Sequence, residues 1–405
     1  MMIFLSNVLQ FYTSYYPIIM TIVWLLGSWI SGIRISKTKQ QECVKNDKVT
    51  ILLSMFNEGE NIIETLQSFT HLEYSNFDVV IVDDKSNDHS VKIVKQWLND
   101  QVKITVNLIE LSQNIGKAQA LNEAIKQIDS PYILVTDADS LLASNAINKL
   151  LQGVTNERVA AVTGKPIVRN RTTLLGRLQA LEYVGIIDRI KRAQDNLYGG
   201  IMTVAGVVVL YRKKALLSVN GFDRTAITED IDITWRLRKN QWLIRYTPES
   251  LAYILVPETF QGYFKQRIRW SIGGLEVFLK NIKWVVKQGS TYQRMLLLDM
   301  FLSHIWAWLA VITLCQYVLL TVTTKTFSLP GGILILYISL FFIMFFQGLI
   351  QDKGQSMLTV QDIFALPFYS TFYWFTSLIT AIISQFNIAF FHKQKGSWKS
   401  PDRGR

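Results

Sequence analysis

Tyr132-Ile133-Leu134-Val135-Thr136-Asp137-Ala138-Asp139 is a short apolar run that ends on two carboxylates. Its length, its β-branched and aromatic residues and the polar turn after it predict a buried strand over 132–136. At a strand end the chain can turn so that Asp137 and Asp139 reach one cation. A hard divalent ion such as Mg²⁺ takes few protein carboxylates and completes its shell with water and phosphate oxygens. Held there, it would neutralise charge on a departing diphosphate. A lone D-x-D is a weak signal, because solvated turns often contain one. The strand in front of it raises its meaning.

Reading outward, short β-rich runs alternate with helical stretches. Val49–Leu53, Asp78–Val82 and Ile104–Ile109 predict further strands. Asn61–Phe69, Ser90–Leu98 and Lys117–Ile128 carry helical spacing. Such alternation predicts an α/β fold with a mostly parallel sheet and helices on both faces. In these sheets ligands sit beyond the carboxyl ends of the strands. Asn57-Glu58, Asp83-Asp84 and Asp137-Ala138-Asp139 all fall at such ends.

The same logic assigns roles to the remaining motifs. Asp84 can accept hydrogen bonds from a uracil or ribose, although Asp83, Asp84 and Asp88 also read as an acidic turn with Asp88 or Ser90 as helix cap. Asn114-Ile115-Gly116-Lys117 opens a helix whose N-terminus and lysine suit an anionic ligand. Thr228-Glu229-Asp230 offers Asp230 as a base for an incoming hydroxyl, with Glu229 tuning it or positioning the acceptor. An isolated acidic pair of this kind would more often cap a helix. In Gln266-x-x-Arg269-Trp270, Arg269 can grip a diphosphate bidentately and Trp270 can present its face to a pyranose ring. Trp and Arg also favour membrane interfaces. Taken in order, these parts predict a sugar-nucleotide transferase.

Composition places that machinery at a membrane. The chain has 405 residues and a formal charge of +11, from 42 Lys+Arg against 31 Asp+Glu. No basic helix or aromatic-basic RNA motif accompanies the excess, which argues against a nucleic-acid partner. Much of it flanks apolar runs at 15–33, 295–322, 331–350 and 363–391, the first of them without a charge. Each approaches or exceeds the roughly 20 residues that cross a bilayer. The first run has no basic segment before it and no clear small-residue cleavage site, so it predicts a retained anchor rather than a signal peptide. Cys43 and Cys315 lie in unlike surroundings, which argues against a disulfide and fits a reducing compartment for the soluble part.

Arg34, Lys37 and Lys39 follow the first run, so the positive-inside rule puts the middle region in the cytosol. Three spans beyond it would then leave the tail outside. Yet Lys393, Lys395, Lys399, Arg403 and Arg405 favour the inside. Either one C-terminal segment is re-entrant or interfacial, or the rule fails here. Residues 258–290 mix aromatics with Lys and Arg, the composition of amphipathic helices at a lipid surface. Asp299 and His304 are ionisable groups inside an apolar run and predict a polysaccharide conduit or a subunit contact, or, for Asp299, a position near the interface.

With these motifs in order, the chain resembles the processive family-2 glycosyltransferases, the group of hyaluronan, chitin and cellulose synthases. The likeness is strongest to the bacterial synthases of poly-β-1,6-N-acetylglucosamine. It runs almost end to end, through Phe56-Asn57-Glu58, Asn114 to Asn122, Thr136 to Asp139, Ala161 to Pro166, Ile227 to Asp230, Val256 to Thr259, Gln266 to Trp270 and Ser400 to Gly404. The resemblance implies a GT-A type domain over 45–257, after an anchor and linker over 1–44. Interfacial helices over 258–294 and a membrane region with a basic tail over 295–405 follow. It implies UDP-N-acetylglucosamine as donor, a divalent metal (Mg²⁺ or Mn²⁺), inversion at the anomeric carbon and extrusion of the growing polysaccharide. It also implies contact with membrane lipids and a small membrane partner subunit, all at the bacterial cell membrane. Asp84 falls at the uridine, Asp137 and Asp139 at the metal-diphosphate, Asp230 at the base, and Gln266, Arg269 and Trp270 at the acceptor-diphosphate end.

Two departures stand out. The usual Asp-Asp-Gly-Ser turn reads Asp83-Asp84-Lys85-Ser86, and lysine takes positive φ less cheaply than glycine. The usual Gly-Asn-Pro reads Gly164-Lys165-Pro166, which predicts an added charge near the phosphates or a surface lysine. Spacing does not fix linkage, so a hyaluronan- or chitin-type synthase and a lipid-directed transferase stay open. An inactive scaffold or conduit fits poorly, since every motif is present.

Overall fold

The computed structural model describes residues 2–37, 46–100, 103–326 and 331–391. Lys39, Cys43 and the basic tail lie outside the described residues. Eight strands form one sheet: β1 (Val49–Met55), β2 (Phe77–Asp83), β3 (Val106–Glu110), β4 (Tyr132–Asp137), β5 (Leu141–Leu142), β6 (Val159–Val168), β7 (Val209–Arg212) and β8 (Leu243–Ile254). Their spatial order is β3-β2-β1-β4-β7-β6-β8-β5. The expected strands and the helices between them are all present. β3, β2, β1 and β4 run parallel, and β6 runs parallel to β8. β7 is antiparallel to both of its neighbours.

The continuous Val/Ile/Leu runs of β1 and β4 are explained by burial on both faces. One face packs Ile51, Leu53, Ile81 and Leu134 against helices Ile62–Phe69 and Ser90–Asp100. The other packs Leu52, Val82, Ile133 and Val135 against Lys117–Gln127 and Glu229–Lys239. Each such side chain contributes about 1.5–3 kcal/mol on full burial.

Residues 174–197 connect this domain to the membrane part. Helix Leu174–Glu182 passes through a π-helical turn, Tyr183–Ile187, into helix Asp188–Leu197. The N-terminal helix Met2–Lys37 packs along Asp188–Leu197. A Cβ on Gly27 would lie 2.6 Å from Leu197 Cδ1 and 2.9 Å from Ala193 Cβ, so only glycine permits this approach.

Lys165 is neither beside the phosphates nor at the surface. It lies in β6, is 1% exposed, and its ammonium pairs with Asp352 at the end of helix Gly331–Asp352, with Asp188 at 3.8 Å. Asp188 also accepts from Arg192 Nε and from Tyr246 Oη, and pairs with Arg189. Burial would raise its carboxyl, but Arg189, Arg192 and Lys165 outweigh that and hold it well below the usual carboxylate range.

Residues 258–290 form one long helix, Phe260–Gln288, rather than several short ones. Among the described residues, four helices, over 7–33, 291–324, 332–352 and 366–390, are long and apolar enough to cross a membrane.

Candidate active site at the carboxyl edge of the sheet

The strand ends bring the expected residues to one edge. After β1, Asn57 takes φ 56°, donates its amide to Ser86 Oγ, and accepts from the Asn87 amide. Glu58 is 1% exposed and accepts from Asn61 Nδ2. After β2, Lys85 adopts φ 64°, so the turn keeps the left-handed shape that glycine usually supplies. Asp84 is fully buried, and its carboxylate accepts the amides of Ile115 (2.7 Å) and Gly116 (2.8 Å). Burial raises its pKa against these bonds. Asp84 therefore braces the loop that carries Asn114, which is itself exposed. Asp88 caps helix Ser90–Asp100, accepting the Ser90 amide at 3.0 Å.

That brace sets where helix Lys117–Gln127 begins, and Lys117 is its first residue. Its ammonium lies 2.7 Å from Asp137 Oδ1 and 3.0 Å from Glu229 Oε1. One cation thus joins the end of β4 to the start of helix Glu229–Lys239. Burial would lower its pKa, but the two carboxylates outweigh burial and raise it. Lys117 likewise overcomes burial at Glu229 and holds that carboxyl low.

Asp230 behaves in the opposite way. Burial, reinforced by the neighbouring Glu229 charge, pushes it up to about 6, with Lys117 and Arg269 opposing. A carboxylate ionised near neutral pH yet relatively basic suits a general base. The two neighbouring acids are driven apart by their surroundings, which separates their roles.

Helix Phe260–Gln288 crosses over this acidic start because Gly273 has no side chain. A Cβ there would lie 2.1 Å from Thr228 Oγ1. Gln266, Arg269 and Trp270 share one helix face at i, i+3 and i+4. Arg269 is exposed and acts electrostatically on both Glu229 and Asp230. Gln266 Oε1 is buried without a hydrogen-bond donor. Trp270 packs against Val168, Tyr183, Ile254 and Val256, under the Arg267 guanidinium 4.4 Å from its ring centroid. Arg267, not singled out in the sequence, pairs with Glu182 at 2.7 Å and locks the motif to the domain.

Asp137 and Asp139 fit a divalent cation only if phosphate and water supply most of its shell. Among the described residues no cluster of three or more His, Cys, Asp or Glu side chains is arranged for a metal. Asp139 is 8% exposed and accepts from Ser140 Oγ. Two strand-end carboxylates with Lys117 beside them match a cation that arrives with a diphosphate.

A cavity of about 350 Å³ opens on the membrane side. It lies among helices 2–37, 291–324, 331–352 and 366–391 and is walled by Tyr16, Trp24, Trp306, Tyr337, Tyr373 and Trp374. Ser271, next to Trp270, and Gln194 also border it. Both Asp299 and His304 line it. Tyr16 Oη donates to Asp299 Oδ1 at 3.4 Å, and Gln385 Nε2 meets His304 Nδ1 at 3.3 Å.

A sheet with this order, acidic groups at its carboxyl edge and a basic-aromatic helix closing over them define a GT-A glycosyltransferase. Residues 47–273 match the family described as glycosyltransferase like family 2, and the chain belongs to that family. It is 33% identical to the poly-beta-1,6-N-acetyl-D-glucosamine synthase of Staphylococcus epidermidis over 96% of this chain and 97% of that one. It is 30% identical to the Staphylococcus aureus protein of the same name, with the same coverage. The fold also matches a mannosyltransferase from Pyrobaculum calidifontis solved with GDP-Man and Mn²⁺. That likeness has a TM-score of 0.66 at 18% identity and covers 94% of this chain and 99% of the other.

Proposed function

We propose that this chain is a membrane-embedded, processive, inverting transferase that polymerises N-acetylglucosamine from UDP-N-acetylglucosamine into a β-1,6-linked exopolysaccharide. The observation that carries this reading is Lys117 bridging Asp137 and Glu229, with Asp230 held basic beside them. The names of the staphylococcal relatives support the sugar and the linkage.

In this reading Asp137 and Asp139 would hold a divalent cation, Mg²⁺ or Mn²⁺, that arrives with the donor. That cation supplies charge neutralisation at the leaving group. Asp230 accepts the proton of the acceptor 6-hydroxyl as its oxygen bonds to the donor C1. The C1–O bond to the diphosphate breaks, UDP departs with the electron pair, and attack from the opposite face inverts the anomeric centre. Lys117 and Arg269 offset the charge that builds on the diphosphate. Trp270 offers a stacking face to the acceptor sugar. Asp84, Asn57, Glu58 and Asn114 shape the nucleotide side.

The aromatic cavity supports a role in export. Sugar rings stack on aromatic faces, and Asp299 and His304 give a polar track within apolar helices. Ser271, next to Trp270 of the acceptor motif, borders it, so an elongating chain could pass from the motif into it.

Helix packing supports a resolution of the topology. Phe260 meets Phe372, Tyr263 Oη lies 3.3 Å from Thr376 Oγ1, and Ser271 Oγ lies 2.8 Å from Ser384 Oγ. Helix Leu366–Phe391 therefore runs alongside helix Phe260–Gln288 in the same direction. If the latter lies at the cytosolic surface, so does its companion, which leaves three crossings and keeps Phe391 on the cytosolic side. In a chain lacking Cys43 and Cys315, Thr326→Cys should react with an impermeant maleimide on spheroplasts. Ser290→Cys and Phe390→Cys should react only once the membrane is opened. Labelling of Phe390→Cys from outside would overturn the in-plane placement.

The activity is tested by supplying membranes with radiolabelled UDP-N-acetylglucosamine and Mg²⁺, with and without a co-expressed small membrane subunit. Polymer cut by a β-1,6-specific hexosaminidase is expected. Cutting by chitinase instead would replace the proposed linkage.

A further inference from the structure

The Trp270 ring does not stand alone. Arg267, about one helical turn before it, lays its guanidinium 4.4 Å from the Trp270 ring centroid and 4.8 Å from the Tyr263 ring centroid. These three residues meet on helix Phe260–Gln288 because side chains three and four apart are neighbours. The guanidinium is thus held between two rings. Its Nη2 donates to Glu182 Oε2 at 2.7 Å, whereas Nε and Nη1 are buried with no acceptor among the described residues.

A buried guanidinium that served only as an anchor would spend its donors on carboxylates and carbonyls. Arg267 spends Nη2 on Glu182 and turns its plane to aromatic faces, where the ring quadrupole attracts a cation. Glu182 ends helix Leu174–Glu182, just before the π-helical turn Tyr183–Ile187. Such single turns often mark functional sites. Burial pushes the Glu182 carboxyl up, with Arg267 opposing. Ala180 and Tyr183, on either side of Glu182, belong to the cluster that packs against Trp270. One segment therefore supplies both the apolar seat of the ring and the charge that holds its guanidinium neighbour. Trp270 stays partly exposed, while Arg267 and Tyr263 are buried.

We propose that Glu182 and Arg267 are positioning residues for the acceptor: together they fix the tilt of the Trp270 ring, so that the terminal sugar of the growing chain presents its hydroxyl to Asp230 in one register. This rests on the reading of Trp270 as the sugar platform and adds what sets that platform. A polymerising site needs such control at every cycle, because each new terminal sugar must come to rest where the last one did. A loosened ring would leave the donor bound and the base in place while the sugar hydroxyl is misplaced. Water then competes for the donor. Its oxygen bonds to C1, the C1–O bond to the diphosphate breaks, UDP leaves with the electron pair, and the water proton passes to Asp230.

The test uses the full chain in membranes supplied with UDP-N-acetylglucosamine and Mg²⁺, and counts UDP released against sugar found in polymer. UDP affinity and the melting temperature in detergent are measured beside it. Arg267→Lys keeps the charge and gives up the planar stack. Glu182→Leu with Arg267→Met removes both charges together, an exchange that buried pairs often tolerate. Both should melt and bind UDP much as the unaltered chain does. Polymer should fall by about 10–100-fold, since a misplacement of about 1 Å can cost about 10²-fold. UDP release should fall less, so the ratio of UDP to incorporated sugar rises. Should the double variant melt early, Arg267→Lys alone carries the comparison. Normal polymer from a double variant that folds would show that the pair serves stability alone and overturn the proposal. So would lost polymer at an unchanged ratio of UDP to sugar, or a loss that follows UDP affinity. Failure of the functional reading shows in the unaltered chain, as absence of polymer. Failure of the positioning role shows only in the variants, beside an unaltered chain that polymerises.

Discussion

Lys117 and Asp137 form an ion pair of 2.7 Å that couples the first turn of one helix to the tip of the central strand. The same ammonium holds Glu229, so the end of the central strand and the start of helix Glu229–Lys239 share one cation. Lys117→Met should lower turnover by about 10²–10³-fold, the range seen when a preorganised electrostatic contact is deleted. It should also release Glu229 from its low pKa. Lys117→Arg, too broad for the same two contacts, should recover little. Steady-state kinetics on membranes and UDP binding separate lost chemistry from lost donor affinity.

In the proposed reaction, Asp230 as the base would set the acid limit. Its carboxyl is pushed up to about 6, and only the ionised form accepts a proton. Activity should be full above about pH 7 and fall as the pH drops through about 6, with one proton taken up. Asp230→Asn should abolish polymer while UDP still binds. A profile flat down to pH 5 would remove Asp230 from the role of base.

Gly273 decides how closely helix Phe260–Gln288 approaches Thr228 and the acidic start of helix Glu229–Lys239, where the proposed base lies. Gly273→Ala places a methyl where Thr228 Oγ1 now lies and forces the helices apart. Overpacking of this kind costs about 1–3 kcal/mol. Because the strain falls between Arg269 and Asp230, turnover should suffer more than the melting temperature. Thr228→Ala in the same chain should restore part of the activity by clearing the hydroxyl. No gain in the double variant would separate the helix approach from the defect.

The buried pair of Lys165 with Asp352 predicts an asymmetric pattern of damage. Lys165→Met leaves the Asp352 carboxylate buried with only Ser356 to bond it, which should cost about 3–5 kcal/mol. Asp352→Asn leaves Lys165 with Asp188 at 3.8 Å and should cost less. The double change Lys165→Met with Asp352→Leu should recover much of the loss. Thermal unfolding in detergent, run as a double-mutant cycle, measures the coupling.

Much of this was legible from the chain alone because it is local. The apolar runs of β1, β2 and β4, each ending in polar residues, announce a doubly covered parallel sheet. The acidic motifs fall at strand ends by simple counting. The antiparallel β7 is only four residues long and carries no alternation, so nothing in its own sequence set its direction. Lys165 read as a charge near the phosphates or a surface lysine because its partners, Asp188 and Asp352, lie far along the chain. Asp84 read as a ligand-binding acid, and its hold on the Ile115 and Gly116 amides emerges only in three dimensions.

The contact of Gly27 with Ala193 and Leu197 bears on how such enzymes can be re-engineered. The leading hydrophobic segment touches the same short helix that carries Asp188, and its Tyr16, Met20 and Trp24 line the membrane-side cavity, so it is a wall of that chamber and more than a tether. Swapping it for a generic leader of equal hydropathy would still deliver the chain to the bilayer. It would also leave the chamber with a badly fitting side.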